Sequence, residues 1–308
     1  MKRRLRAGTR GSKLARRQTA WVIARIREKY PELEIEEVII STKGDRDRSP
    51  FSQLVRGGDI GLFTKELEKA LLKGEIDLAV HSLKDLPVVL PQGLILGAVP
   101  ERAVPFDAVV TREGVRLADL PPGSRLGTSS LRRSAQIRYH YPDLSFVDLR
   151  GNLDTRIRKL QRGEVDAVIL AAAGLMRLGY KENDYALLPP DLCLPAPGQG
   201  ALAVEIRSDD HLLRDICCDV LDDYRSRQAV TAERALLQEL GGGCRLPLGA
   251  YACIEGDDLL LRGAVASPDG SRLLQGQAAG AAGRPLEVGR SLAKILIEKG
   301  AKEILAGE

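Results

Sequence analysis

Ala79-Val80-His81-Ser82-Leu83-Lys84-Asp85-Leu86-Pro87 closes an apolar run that begins at Ile76 and breaks off in a polar cluster. Pro87 stops a helix from passing cleanly through it. The pattern predicts a buried strand over 76–80 whose C-terminal end delivers Lys84 and Asp85 into a loop. In open α/β sheets, ligands bind at that end of the strands. A carboxylate beside an ammonium equally suits a solvated turn. The rest of the chain decides between the two, because strand, polar end and helix recur along it and most of the polar ends carry arginine.

Upstream, a short strand over 5–9 runs into Arg10-Gly11-Ser12. Ser12 reads as an N-cap, followed by a helical stripe of Leu14, Ala15, Gln18, Trp21, Val22, Ala24 and Ile26. Arg10 and Ser12 therefore lie at a strand end facing a helix N-terminus, where free N–H groups favour anions. A second strand over 35–41 leads into a charged segment with no apolar period, 43–59, which reads as a lid. A helix over 63–73 then returns the chain to the stretch quoted first.

Downstream, strands are predicted over 107–111, 124–127, 144–149 and 165–171. Thr128, Ser129 and Ser130 precede a helix with Arg132 and Arg133 in its first turn. Arginine there opposes the helix dipole, so the pattern predicts an anion held jointly by N–H groups and guanidiniums. The next strand ends at Arg150-Gly151-Asn152, before a helix carrying Arg156, and the last one precedes Arg177. These are two α/β units whose strand ends converge on something with several negative charges. Residues 194–200, rich in proline and glycine and containing Gln199, form a crossover into a strand over 201–206. Residues 207–224 read as polar and helical, and a helix over 230–240 ends in Gly241-Gly242-Gly243-Cys244. Strands over 250–254, 259–265 and 272–278, with a hairpin turn at Ser267-Pro268-Asp269-Gly270 and a helix over 286–304, predict a small separate α+β domain.

A chain of 308 residues suits two or three domains, and 44% hydrophobic with 29% charged residues describes a globular protein. The net charge of +4 is small, but between Arg125 and Arg162 nine basic residues face three acids. Arginine dominates there, and its planar fork suits carboxylate or phosphate. Aromatic content of 4%, with no recognisable nucleic-acid motif, argues against a nucleic-acid partner. The five cysteines show no zinc spacing or disulfide framework, and the three histidines are scattered, so no metal site is expected. No run approaches the ~18 apolar residues of a membrane span, and the basic start lacks a secretory apolar core. A cytoplasmic protein is expected. Cys244 by itself reads either as a small buried apolar residue or as a reactive thiol in an open glycine loop beside Arg245. His81 is expected to pack behind the Asp85 loop.

Taken together the motifs resemble the porphobilinogen deaminase (hydroxymethylbilane synthase) family. The match is carried by Thr9 to Ser12, Gly61 to Glu68, Ala79 to Pro87, Gly127 to Arg133, Leu149 to Asn152, Ala173 to Gly179, Pro197 to Gly200 and Gly242 to Cys244, in order. The resemblance implies two doubly wound α/β lobes similar to type II periplasmic binding proteins, plus a small α+β C-terminal domain. Its implied boundaries are 1–98 with 197–220, 99–196, and 221–308. It implies a monomeric enzyme that condenses porphobilinogen head to tail with loss of ammonia, on a dipyrromethane cofactor held by thioether to Cys244. By resemblance Asp85 is catalytic. Lys84, Ser129, Arg132 and Arg133, with Thr128 and Ser130 beside them, bind the cofactor. Arg10, Ser12, Arg150 and Arg156, with Arg177 and Gln199, bind substrate. The acetate and propionate arms of such a substrate suit bidentate arginine pairs. Two positions depart from the family pattern, Ile60 where lysine is common and Gly241 where glutamate is common. The competing reading is a bilobal carboxylate- or phosphate-binding protein without catalysis, which needs neither Cys244 nor a third domain.

Overall fold

The computed structural model describes residues 4–42, 64–112, 114–241 and 246–306. The expected lid and Cys244 lie outside the described residues. The chain divides into two compact units, residues 1–103 with 201–227, and residues 104–200 with 228–308.

In the first unit the chain forms β1 (Arg4–Arg10), α1 (Lys13–Lys29), β2 (Glu34–Ile40), α2 (Lys65–Leu72), β3 (Leu78–Ser82) and β4 (Leu94–Ala98). It leaves to build β5 (Asp107–Thr111), β6 (Arg125–Gly127), α3 (Leu131–His140), β7 (Ser145–Val147), α4 (Leu153–Gln161), β8 (Ala167–Ala171), α5 (Ala172–Leu178) and β9 (Ala186–Leu187) in the second. It returns as β10 (Leu202–Arg207) and α6 (His211–Val220). Helix α7 (Tyr224–Glu239) leads to β11 (Leu248–Glu255), β12 (Asp258–Ala266), β13 (Leu273–Ala281), α8 (Pro285–Glu298) and α9 (Ala301–Ala306).

The two five-stranded sheets share one plan. Their orders are β2-β1-β3-β10-β4 and β7-β6-β8-β5-β9. In each, three parallel strands are followed by one that runs antiparallel to its neighbours, β10 in the first and β5 in the second. Each sheet buries both faces. In the second, Val109, Ala167 and Ile169 pack with Ile137 of α3, while Ala108, Val168 and Leu170 pack with Ile157 and Leu160 of α4. Two covered faces explain why these strands read as continuous apolar runs rather than alternating ones. The expected α/β architecture with a small α+β C-terminal part is what the chain adopts. The latter is an antiparallel β11-β12-β13 sheet with its own core, Leu236, Leu259, Leu261, Leu292 and Leu296 among it.

Several expectations need correction. Strand β3 begins at Leu78 rather than Ile76, because Asp77 turns aside to accept the Arg6 amide at 2.8 Å. Trp21 is 42% exposed; the buried face of α1 is Ala15, Gln18, Thr19, Val22, Ile23 and Ile26. The last helix is two helices, broken where Gly300 takes φ +94°, a conformation glycine adopts without a Cβ penalty.

Candidate functional site

In the first unit, the C-terminal ends of β1 and β3 and the start of α1 enclose a cavity of about 80 Å3 lined by Arg10, Ser12, Gln18, Thr64, His81 and Asp85, among others. Ser12 is the N-cap of α1, its hydroxyl accepting the Ala15 amide at 3.2 Å. After β3 the chain makes one 3-10 turn, Leu83–Asp85. Leu83 and Leu86 are buried, at 0% and 3% exposure, and the Leu83 amide donates to the Ala201 carbonyl at 3.0 Å. Two buried leucines thus clamp the turn, leaving Lys84 and Asp85 between them half-buried. Arg10, Ser12 and Asp85, far apart in sequence, line one space; Lys84 neighbours it in the same turn.

In the second unit the arginines of α3 have an anion, and the protein supplies it. Asp107, at the start of β5, is fully buried. Its Oδ2 accepts from Arg132 Nη1 at 2.7 Å, and its Oδ1 from Arg133 Nε at 3.0 Å and Nη2 at 2.7 Å. Gln199 Nε2 donates to the same carboxylate at 2.8 Å. Burial by itself would raise the Asp107 carboxyl, but the two guanidiniums outweigh it and hold it well below the usual carboxylate range. This internal carboxylate is the physical reason two arginines sit in a helix first turn that disfavours them. Two guanidiniums against one carboxylate still leave an excess positive charge in a buried cluster, so its donor chemistry fits a further carboxylate.

Around this cluster, Ser130 caps α3, and Thr128 Oγ1 accepts the Ser130 amide at 3.1 Å. Ser129 Oγ donates to the Leu149 carbonyl at 2.6 Å, beside half-buried Arg150. Arg156 Nε donates to the Gly151 carbonyl at 2.8 Å, and Arg177 Nη2 to the Gly200 carbonyl at 2.8 Å. Burial lowers Arg177 to about 10, which leaves it charged at neutral pH. Helix α7 contributes Glu233, fully buried, which accepts the Gly198 amide at 2.7 Å and the Ala252 amide at 2.8 Å. It thereby fixes the loop that carries Gln199.

Sequence reasoning missed Asp107, Glu233, Thr64 and the role of Gln18, whose Nε2 donates to Ser82 Oγ at 3.1 Å. A signal existed for Asp107, a lone carboxylate heading the apolar run Ala108-Val109-Val110. Of the cysteines, Cys193 and Cys217 are buried, and burial pushes both thiols up to about 12. They are poor nucleophiles for that reason. No group of ligands able to hold a metal ion occurs among the described residues. No helix among them is long and apolar enough to cross a membrane. Gly241, one of the two departures from the family pattern, adopts φ +105° just past the end of α7. A glutamate there would be strained.

Residues 5–215 match the family model described as "Porphobilinogen deaminase, dipyromethane cofactor binding domain", and residues 227–298 the model "Porphobilinogen deaminase, C-terminal domain". The chain is 49% identical over 305 residues to the porphobilinogen deaminase of Pelotomaculum thermopropionicum, covering 99% of this chain and 97% of the relative. It is 46% identical over 307 residues to that of Bacillus subtilis, covering 99% and 96%. Among solved structures, a Salmonella typhimurium periplasmic binding protein of high arginine specificity is similar at 16% identity and a TM-score of 0.41, covering 71% of this chain and 92% of that one. With two family models matched in order and relatives near half identical along its whole length, the chain belongs to the porphobilinogen deaminase family.

Proposed function

We propose that this chain is a transferase that joins porphobilinogen units head to tail with loss of ammonia and releases the linear tetrapyrrole hydroxymethylbilane. A covalently held dipyrromethane supplies the primer on which the product grows, and Cys244 is its attachment point. The observation that carries the reading, given the family, is the shared cavity of Arg10, Ser12 and Asp85. It sets a guanidinium and a hydroxyl, suited to a substrate carboxylate, beside a single carboxylate.

Each residue has a defined task. Arg10 and Ser12, with Arg150, Arg156, Arg177 and Gln199, grip the acetate and propionate arms of the incoming pyrrole. Lys84, Arg132 and Arg133, with Thr128, Ser129 and Ser130, serve the carboxylates of the primer. The fit of Arg132 and Arg133 rests on the excess positive charge around Asp107, an arrangement whose desolvation cost an added carboxylate would reduce. Asp85 accepts hydrogen bonds from pyrrole N–H groups and offsets the positive charge that develops when the aminomethyl nitrogen leaves. Residues 221–308 act as the carrier of Cys244. The reading includes a cytoplasmic monomer that acts on a small molecule, without nucleic acid or membrane.

The test is incubation of the purified protein with porphobilinogen, with product identified by chromatography and mass. Hydroxymethylbilane is expected, and Asp85→Asn is expected to abolish it while leaving the circular dichroism spectrum intact. Turnover near the wild-type rate in that variant would refute the role given to Asp85.

A further inference from the structure

Behind the Asp85 cavity lies a group of titratable side chains with no part in the functions assigned above. In the antiparallel pairing of β3 with β10, His81 stands opposite Ala203 and Glu205 opposite Ala79. Side chains two apart on a strand share a face, so the two small alanines leave room for the two large polar residues on one face. His81 Nε2 lies 3.0 Å from Glu205 Oε2, with both side chains buried, at 3% and 0% exposure. Helix α2 covers this face and adds Glu68, itself 6% exposed. Glu205 Oε1 and Glu68 Oε1 take no hydrogen bond from any described residue. The Thr64 hydroxyl lies near enough to favour the charged form of Glu68 without a well-formed hydrogen bond. His81, unlike the two acids, also lines the cavity.

Two buried acids and one imidazole hold fewer cations than anions when all are in their usual states, and burial opposes any unpaired charge. Burial pushes the Glu68 carboxyl up, and the nearby Glu205 adds to that rise while His81 and Lys65 oppose it. The other charged groups facing the cavity are Asp85 and Arg10. Such interacting groups share protons as a set rather than singly, and imidazole is the side chain suited to exchange one near neutral pH.

We propose that Glu205, His81 and Glu68 form a proton-holding cluster at the back of the Asp85 cavity, serving the proton that the condensation sets free. This rests on the function proposed above. In that reaction the carbon–nitrogen bond of one aminomethyl group, in its protonated ammonium form, breaks, and its electron pair leaves on nitrogen as ammonia. A carbon–carbon bond forms, and the ring carbon that attacks gives up its hydrogen as a proton. The proton passes through the cavity to the His81 imidazole and then to the departing ammonia, which leaves as ammonium. Glu205 keeps the imidazole oriented and compensates the charge it gains. None of the three needs to touch the substrate, so they act on it through the cavity.

The test combines two measurements on the holoenzyme. Imidazole 15N resonances, recorded without substrate, should show His81 exchanging a proton between pH 5 and 9, and Glu205→Gln should move that transition to lower pH by at least half a unit. Glu205→Gln should move the acid limb of kcat against pH in the same direction, with KM for porphobilinogen within twofold of wild type. Glu68→Gln should move both the same way by less. A His81 ring that keeps one protonation state over the whole range would overturn the proposal, and this needs no variant to fold. A kcat profile of Glu205→Gln superimposable on wild type would overturn it too. Should wild type make no hydroxymethylbilane, the function assigned above fails, while the resonances still judge the cluster.

Discussion

Asp107→Asn removes a charge from the centre of the second unit without changing its shape. The wild-type carboxylate accepts from Arg132, Arg133 and Gln199 at 2.7 to 3.0 Å and is fully buried. Arg132 and Arg133 are each 5% exposed, so neither can recover its lost partner from water. Removing one member of a buried ion pair costs about 3–5 kcal/mol. The asparagine oxygen still accepts one hydrogen bond, worth roughly 1 kcal/mol, which places the net loss nearer 3 kcal/mol. For a chain of 308 residues that is a fall in Tm of about 5 °C. The pH dependence carries the sharper test. A carboxyl whose folded-state value is depressed stabilises the fold above its unfolded value of about 4, and that stabilisation is lost as pH falls towards the folded value. Urea denaturation followed by circular dichroism should therefore show a gap between wild type and Asp107→Asn that is full at pH 7 and narrows below pH 4. A gap under about 1 kcal/mol at pH 7, or one that does not change with pH, would refute the charge-pairing argument.

Three further outcomes are expected. The intact mass of purified protein should exceed the sequence mass by a dipyrromethane, and Cys244→Ala should remove the excess; an unmodified active protein would contradict the attachment. Neutralising Arg150 or Arg156 should impair chain elongation, read as accumulated partial products, more than assembly of the holoenzyme, and equal loss of cofactor would show the division of the arginines to be wrong. Gly241→Ala, at φ +105°, should lower stability by roughly 1 kcal/mol in the same denaturation assay, and an unchanged midpoint would mean that the helix end relaxes.

Local order was legible wherever the signal is carried by neighbours in the chain. Ser12 as a helix cap, the turn after Ser82, the sequence of strands and helices, and the polar strand ends all follow from the period of apolar residues and the chemistry of a few turn positions. The ordered motifs carried the family in the same way, because each is a short contiguous string. Trp21 misled because apolar identity does not say which side of a helix finds a partner. The broken last helix misled because a glycine near a helix end marks a stop only once its φ is known.

What the tertiary structure alone decided is which charge meets which. That Asp107 would answer Arg132 and Arg133 across 25 and 26 residues, or Glu205 answer His81 across 124, depends on sheet order and register, which no local pattern encodes. An ion pair gains its energy from distance and burial, and neither is a property of a position in the chain. Composition could say that arginines were present to hold anions; only the folded sheets say that one of those anions is the protein's own.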